Sequence, residues 1–214
     1  MRTNNHDLIG ELVDDLQPHR PLTLRRGLAT ASGSTVLTIG VMALLAGVRP
    51  DVAAGHFNPV FLLATGLFLM LGVAATFAVI SMSRPQVGNT HGGWIWAAAM
   101  AALLPASAAV LGFADRGNAF FQSQPAQGIS CLVNGSLLGL IVGGALTVWL
   151  RRGAPTSPEQ AGLLTGLAAG SIGIFAYSLH CPYDDLYHIG LWHSLAVVAS
   201  AVAGRIFVPK LIQW

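Results

Sequence analysis

Nine consecutive residues, His180-Cys181-Pro182-Tyr183-Asp184-Asp185-Leu186-Tyr187-His188, bring together a thiol, two carboxylates and two imidazoles. Only 9% of the 214 residues are charged and the mean hydropathy is +0.62, so this density of polar chemistry is out of character with the rest of the chain. In a protein dissolved in lipid, polar groups gather at membrane surfaces or at functional sites. Asp184 and Asp185 precede His188 by four and three positions, a spacing that one helical turn closes. An imidazole backed by a carboxylate resembles a metal ligand with its supporting group, which makes His180, Asp184, Asp185, His188 and His193 candidate ligands or supports. The same acids also suit the start of a helix, as caps, with the histidines merely interfacial. Both readings stand on the sequence alone.

The chain has two cysteines, Cys131 and Cys181, fifty positions apart, which is neither a zinc-finger nor a CxxC pattern. Their relation depends on the elements that carry them. Six apolar runs are each long enough to cross roughly 30 Å of hydrocarbon: Gly27 to Val48, Pro59 to Ile80, Trp94 to Phe113, Ile129 to Leu150, Gly162 to His180 and Ile189 to Val208. No Asp, Glu, Lys or Arg falls in the middle of any of them. The first run opens only near residue 28 and is long enough to span, so it reads as a membrane helix and not as a cleaved signal. With a cytoplasmic amino terminus, Arg2, Arg20, Arg25, Arg26, Arg84, Arg151, Arg152, Arg205 and Lys210 lie inside, and only Arg49 and Arg116 outside. That asymmetry obeys the positive-inside rule, and six spans return the carboxyl terminus to the cytoplasm. Trp94, Trp96, Trp149 and Trp192 fall at the expected interfaces. Pro105, inside the third span, should bend it.

This topology predicts that Cys131 and Cys181 lie at similar depth on the outer side, because each is about twenty residues, or roughly 30 Å of helix, from the inner loop joining the fourth and fifth spans. Gly135, Gly139 and Gly143 follow Cys131 at steps of four, and Gly162, Gly166 and Gly170 form a similar ridge on the fifth span. The two ridges are expected to pack against each other. Thiols facing an oxidising compartment can form a disulfide, bind a metal or react with oxidants, and buried cysteine can also be a small hydrophobe.

Before the first span the composition changes. Leu8, Ile9, Leu12, Val13 and Leu16 recur at helical spacing with Asp7, Glu11, Asp14 and Asp15 between them, which predicts one amphipathic helix with an acidic face, ended by Pro18 and Pro21. An acidic face is repelled by an anionic inner leaflet and suits a basic protein partner. Residues 1–26 therefore read as a cytoplasmic partner-binding segment and 27–214 as a six-helix membrane domain, an all-α architecture. The net charge of +2 is spread along the inner surface, so no direct contact with nucleic acid is expected.

The stretch Leu179-His180-Cys181-Pro182, through Asp184-Asp185 to His188-Ile189-Gly190-Leu191-Trp192-His193, together with Cys131 and the acidic segment Asp7 to Leu16, resembles the NrsF family, the negative regulators of sigma F. The resemblance covers nearly the whole chain. It implies a bacterial inner-membrane anti-sigma factor, not an enzyme, that holds an extracytoplasmic-function sigma factor inactive at the cytoplasmic face. It further implies release under heavy-metal or oxidant stress, with Cys131 and Cys181 as the two periplasmic sensing cysteines. No cofactor is required on this reading, and a heavy metal at the cysteine pair is the ligand it admits. The competing reading is a membrane-embedded metal-dependent hydrolase or redox enzyme built on His180, Asp184, His188 and His193. It lacks a second polar cluster in the spans to hold a substrate.

Overall fold

A computed structural model describes residues 5–15, 22–84, 102, 106 and 123–213, and among them every regular element is helical. The elements are α1 (Asn5–Asp14), α2 (Leu24–Leu45), the short α3 (Pro50–Ala53), α4 (Pro59–Met82), α5 (Pro125–Arg151), α6 (Pro158–Ser178) and α7 (Leu186–Ile212). Helix α7 contains one π-helical turn, Ile189–His193. Five of them, α2, α4, α5, α6 and α7, are long and apolar enough to cross a membrane. The expected third span, Trp94 to Phe113 with its Pro105, lies outside the described residues.

Prolines set where three of the long helices begin. Pro59, Pro125 and Pro158 each sit in the first turn, where a missing N–H costs nothing and a fixed φ favours the helix. Helices α5 and α6 consequently start four residues before the apolar runs expected at Ile129 and Gly162, because their first turns are polar. Asn58 Oδ1 accepts from the Val60 N–H at 2.9 Å and closes the start of α4. Replacing Asn58 by Ala should cost about 1 kcal/mol, read as a small drop in the thermal midpoint of the detergent-solubilised protein.

Helix α6 is the centre of the bundle: 83% of its most apolar 18-residue window is buried, against α7, α5 and α4. Phe68, Leu71, Ala75 and Val79 of α4, Val142 and Leu146 of α5, and Val197 of α7 close on Leu164, Ala168 and Ile172. On the outside, Val36, Leu44, Leu63, Met70, Leu140 and Phe207 are exposed, an apolar exterior that suits lipid. At one end Trp149 Nε1 donates to Ser83 Oγ at 3.1 Å and the Ala154 N–H to the Ser83 carbonyl at 3.1 Å, tying α4 to the turn after α5.

The glycine ridges pack differently from expectation. On α5, Gly135, Gly139 and Gly143 do face α6, where a Cβ on Gly139 would strike the Ala169 carbonyl at 2.5 Å. On α6, Gly162, Gly166 and Gly170 face α7 instead, against Gly204, Ser200 and Val197. The surface α6 turns to α5 is Ala169 and Gly173. Ala169 lies one residue, about 100°, round the helix from Gly170. A helix enclosed on several sides needs small residues toward more than one neighbour, and Ser200 and Gly204 supply the matching small surface on α7.

The acidic segment forms α1, with Ile9, Leu12 and Val13 each more than half exposed. Glu11, Asp14 and Asp15 are exposed beside them. The side chains of Asp7 and Leu8, and all of Leu16, Pro18 and Pro21, lie outside the described residues.

Candidate functional site

Cys131 stands in the second turn of α5, and Cys181 in the short link between α6 and α7. At that end of the bundle the two Sγ atoms are 3.5 Å apart, and His188 Nε2 lies 3.3 Å from Cys131 Sγ and 3.5 Å from Cys181 Sγ. His193 completes the group, with one ligand atom from each of the four residues falling within 4.8 Å of the others. None of the four is more than 3% exposed.

The π turn is what brings the two imidazoles together. Positions five apart on an α-helix point about 140° away from each other, whereas an i→i+5 turn sets them on one face. His188 and His193 meet edge to face with ring centroids 5.3 Å apart. Asp185 caps this helix start, its Oδ1 accepting from the His188 N–H at 2.7 Å. The His188 ring is then fixed from the far side: Nδ1 lies 2.9 Å from the Ser123 carbonyl and so donates to it, leaving Nε2 for the sulfurs. Trp192 Nε1 donates to the same carbonyl and to Ser123 Oγ, both at 3.1 Å. Gln124, next in the chain, is left-handed at φ 52°, a conformation sparsely populated by residues other than glycine, at the point where the chain turns into α5. His193 Nε2 is buried and has no hydrogen-bond partner among the described residues.

Three of the expected metal groups do other work. His180 points back to α2, with Nδ1 3.2 Å from the Gly47 carbonyl and its ring against Tyr177. Asp184 pairs with Arg49, at 2.6 Å and 2.9 Å. Asp185 holds the backbone of His188 and not its ring, so the carboxylate-backed imidazole expected from spacing is replaced by a carbonyl-backed one. The reason is that residues 181–185 are not helical: Asp184 and Asp185 lie before the helix starts and do not share its face.

Arg49 is the residue whose role the sequence did not reveal. Its side chain is only 9% exposed and forks between Asp51 and Asp184, while Nη1 also donates to the Cys181 carbonyl at 2.8 Å. Its guanidinium lies over the Phe61 ring, 5.1 Å from the centroid. The hydrogen bonds to Asp184 and Asp51 raise its pKa further above its ordinary value, so it stays charged. Asp51 is held below the usual carboxylate range, chiefly by its hydrogen bond from Arg49. Cys181 is held well below the ordinary thiol range, first by its hydrogen bond with Cys131 and then, against the effect of burial, by His188 and His193. The signal for Arg49 was present in the sequence, as one of two basic residues assigned to the outer side, beside Asp51.

Fold and site together define a protein whose regular elements among the described residues are helical, with five candidate membrane-spanning helices among them and a buried thiol–imidazole centre at one end of the bundle. Its residues 12–214 match the family described as NrsF, negative regulator of sigma F, and the chain belongs to that family. A probable anti-sigma-F factor NrsF from Azospira oryzae is 29% identical over 201 residues, 89% of each chain. The anti-sigma-F factor NrsF of Caulobacter vibrioides is 32% identical over an alignment of 231 positions that covers all of both chains. No solved structure matches the chain.

Proposed function

We propose that this protein is an integral inner-membrane anti-sigma factor. It sequesters an extracytoplasmic-function sigma factor at the cytoplasmic face and releases it when Cys131 and Cys181, on the periplasmic side, meet a heavy metal or an oxidant. The observation that carries this is the convergence of two thiols from distant parts of the chain, 3.5 Å apart and buried, in a member of a family whose named relatives are anti-sigma-F factors. Residues 94–113 supply a sixth span on this reading, both termini are cytoplasmic, and the Lys and Arg distribution supports that orientation. Residues 1–26 act as the sequestering segment and 27–214 as the membrane sensor. Exposed Ile9, Leu12 and Val13 beside Glu11, Asp14 and Asp15 offer an apolar stripe with an acidic rim, the complement of a basic helical surface.

Co-purification tests this directly. The full chain in detergent should retain a co-expressed sigma factor of this class, and Leu12→Asp with Leu16→Asp should reduce retention by about tenfold or more, as loss of apolar anchors does. Leu12 is 61% exposed, so a charge there burdens the fold little. Unaltered retention in the double variant would remove α1 from the binding surface. No retention by the unmodified chain would end the anti-sigma reading.

A further inference from the structure

We propose that Cys131, Cys181, His188 and His193 form one four-ligand site for a borderline-to-soft divalent cation of the zinc and cadmium class. This deepens, and rests on, the assignment of Cys131 and Cys181 as the sensing pair. It makes the two imidazoles part of the receptor.

Geometry is the first support. Tetrahedral zinc, with Zn–S about 2.3 Å and Zn–N about 2.0–2.1 Å, sets ligand atoms about 3.8 Å apart for two sulfurs and about 3.6 Å apart for sulfur and nitrogen. The distances here are 3.5 Å between sulfurs and 3.3 and 3.5 Å from His188 Nε2 to each. A few tenths of an ångström of expansion admits the ion. His193, within 4.8 Å, needs to swing inward by roughly 1 Å to become the fourth ligand.

Two further observations are independent of those distances. His193 Nε2 is buried without a hydrogen-bond partner among the described residues, and a buried polar atom left so costs free energy that a bound cation would recover. His188, in contrast, has its Nδ1 engaged by the Ser123 carbonyl, the outer contact by which ligating imidazoles are fixed in tautomer and direction. One imidazole is thus oriented and the other keeps an unsatisfied Nε2, with His188 at the N-cap of the π turn and His193 its last residue. Such turns are frequent at functional sites.

Charge selects the ion. A dication on two thiolates and two neutral imidazoles is a neutral complex, suited to four ligands that are all buried. Binding releases one proton from each thiol that was protonated and leaves the imidazoles neutral; nothing is oxidised or reduced. Thiolate ligands disfavour magnesium and calcium, and a tetrahedral set of two sulfurs and two nitrogens favours zinc and its heavier congener. A cavity of about 10 Å³ adjoins Cys181 and His193, lined also by Thr65, Tyr183 and Asp184. Four protein ligands leave no open coordination position, so this centre is not that of a metal-dependent hydrolase.

Cobalt(II) titration of the full-length protein in detergent is the test. One ion per chain, intense visible absorption of tetrahedral cobalt and a thiolate-to-cobalt charge-transfer band are expected, all displaced by zinc or cadmium. His193→Gln should weaken binding by about tenfold or more and change the visible bands while keeping the charge-transfer band. Cys131→Ser with Cys181→Ser should lose that band. A weak octahedral-type spectrum from the unmodified protein, or unchanged affinity and bands in His193→Gln, would overturn the site. Sigma-factor retention on the same preparations reports folding of the variants and separates the two readings. Retention without a tetrahedral spectrum removes the metal site alone, and the spectrum without retention removes the anti-sigma role alone.

Discussion

Cells carrying Cys131→Ser together with Cys181→Ser should keep the sigma factor bound and fail to release it on exposure to cadmium or to an oxidant. The exchange is nearly isosteric at two buried positions of 3% and 2% exposure, so the bundle and the exposed α1 surface should persist. What is lost is chemistry. A serine hydroxyl does not ionise in the accessible range, does not bind soft cations and is not oxidised up the ladder open to a thiolate. With the signal unable to bind or react, the free energy that distinguishes the occupied from the empty receptor disappears, and induction of a sigma-dependent reporter should drop to background, a change of about 10- to 100-fold. The single variants separate the two stimuli. Cys131→Ser leaves Cys181 as a thiol that an oxidant can still reach on the oxidation ladder while the metal set is broken. Constitutive release from the double variant, or unaltered induction, would show that the thiols do not transmit the signal.

The elements were legible because they obey one rule at a time. Apolar runs of twenty residues gave α2, α4, α5, α6 and α7, and their absolute lengths placed Cys131 and Cys181 at one end of the bundle. Starts were missed by up to four residues where a proline opens a polar first turn, as at Pro125 and Pro158, since hydropathy does not register a turn determined by a fixed φ. The ridges were legible as small surfaces but not as pairs. Steps of four identify a face, while the partner of that face depends on how many neighbours surround the helix, and among the described elements α6 meets four, α7, α5, α4 and α2.

Within the site, Cys131, Cys181, His188 and His193 were all named from the sequence, yet the grouping was not available there. An α-helical reading of residues 188–193 puts the two imidazoles on different faces, and a one-turn π segment has no sequence signature of its own. Ser123, whose carbonyl holds both His188 and Trp192, contributes through its backbone, which sequence reasoning about side-chain chemistry cannot single out. Asp184 was noticed for its proximity to His188 in sequence. Its partner is Arg49, 135 positions away, and that pairing is a product of how α2 and the link between α6 and α7 meet in space.

Replacing Arg49 by Met should be among the most damaging single changes at this end of the molecule. The guanidinium uses Nε and Nη2 for Asp51, at 2.7 and 2.5 Å, and Nη1 and Nη2 for Asp184, at 2.6 and 2.9 Å. Nη1 holds the Cys181 carbonyl as well, and the Arg49 N–H donates to the Leu179 carbonyl at 3.0 Å. Methionine fills the space above Phe61 but strands Asp184, whose side chain is only 16% exposed, and leaves the Cys181 carbonyl without its donor. Removing one partner of this partly buried ion pair costs about 2 kcal/mol, between the exposed and fully buried cases, and the carbonyl adds about 1 kcal/mol. Asp51, at 39% exposure, turns to water and contributes little. Arg49→Lys keeps the charge without the planar fork and should recover only part of the loss. Because Asp51 titrates below its unfolded value, its share of the clamp is present above the ordinary carboxylate range and is lost only as pH falls through the lowered one. The readouts are the thermal midpoint in detergent and the cobalt affinity of the same preparations. Both should fall in Arg49→Met, because the clamp fixes the link that carries Cys181. A lower midpoint with unchanged cobalt affinity would instead make Arg49 a stabilising ion pair with no part in positioning the thiol.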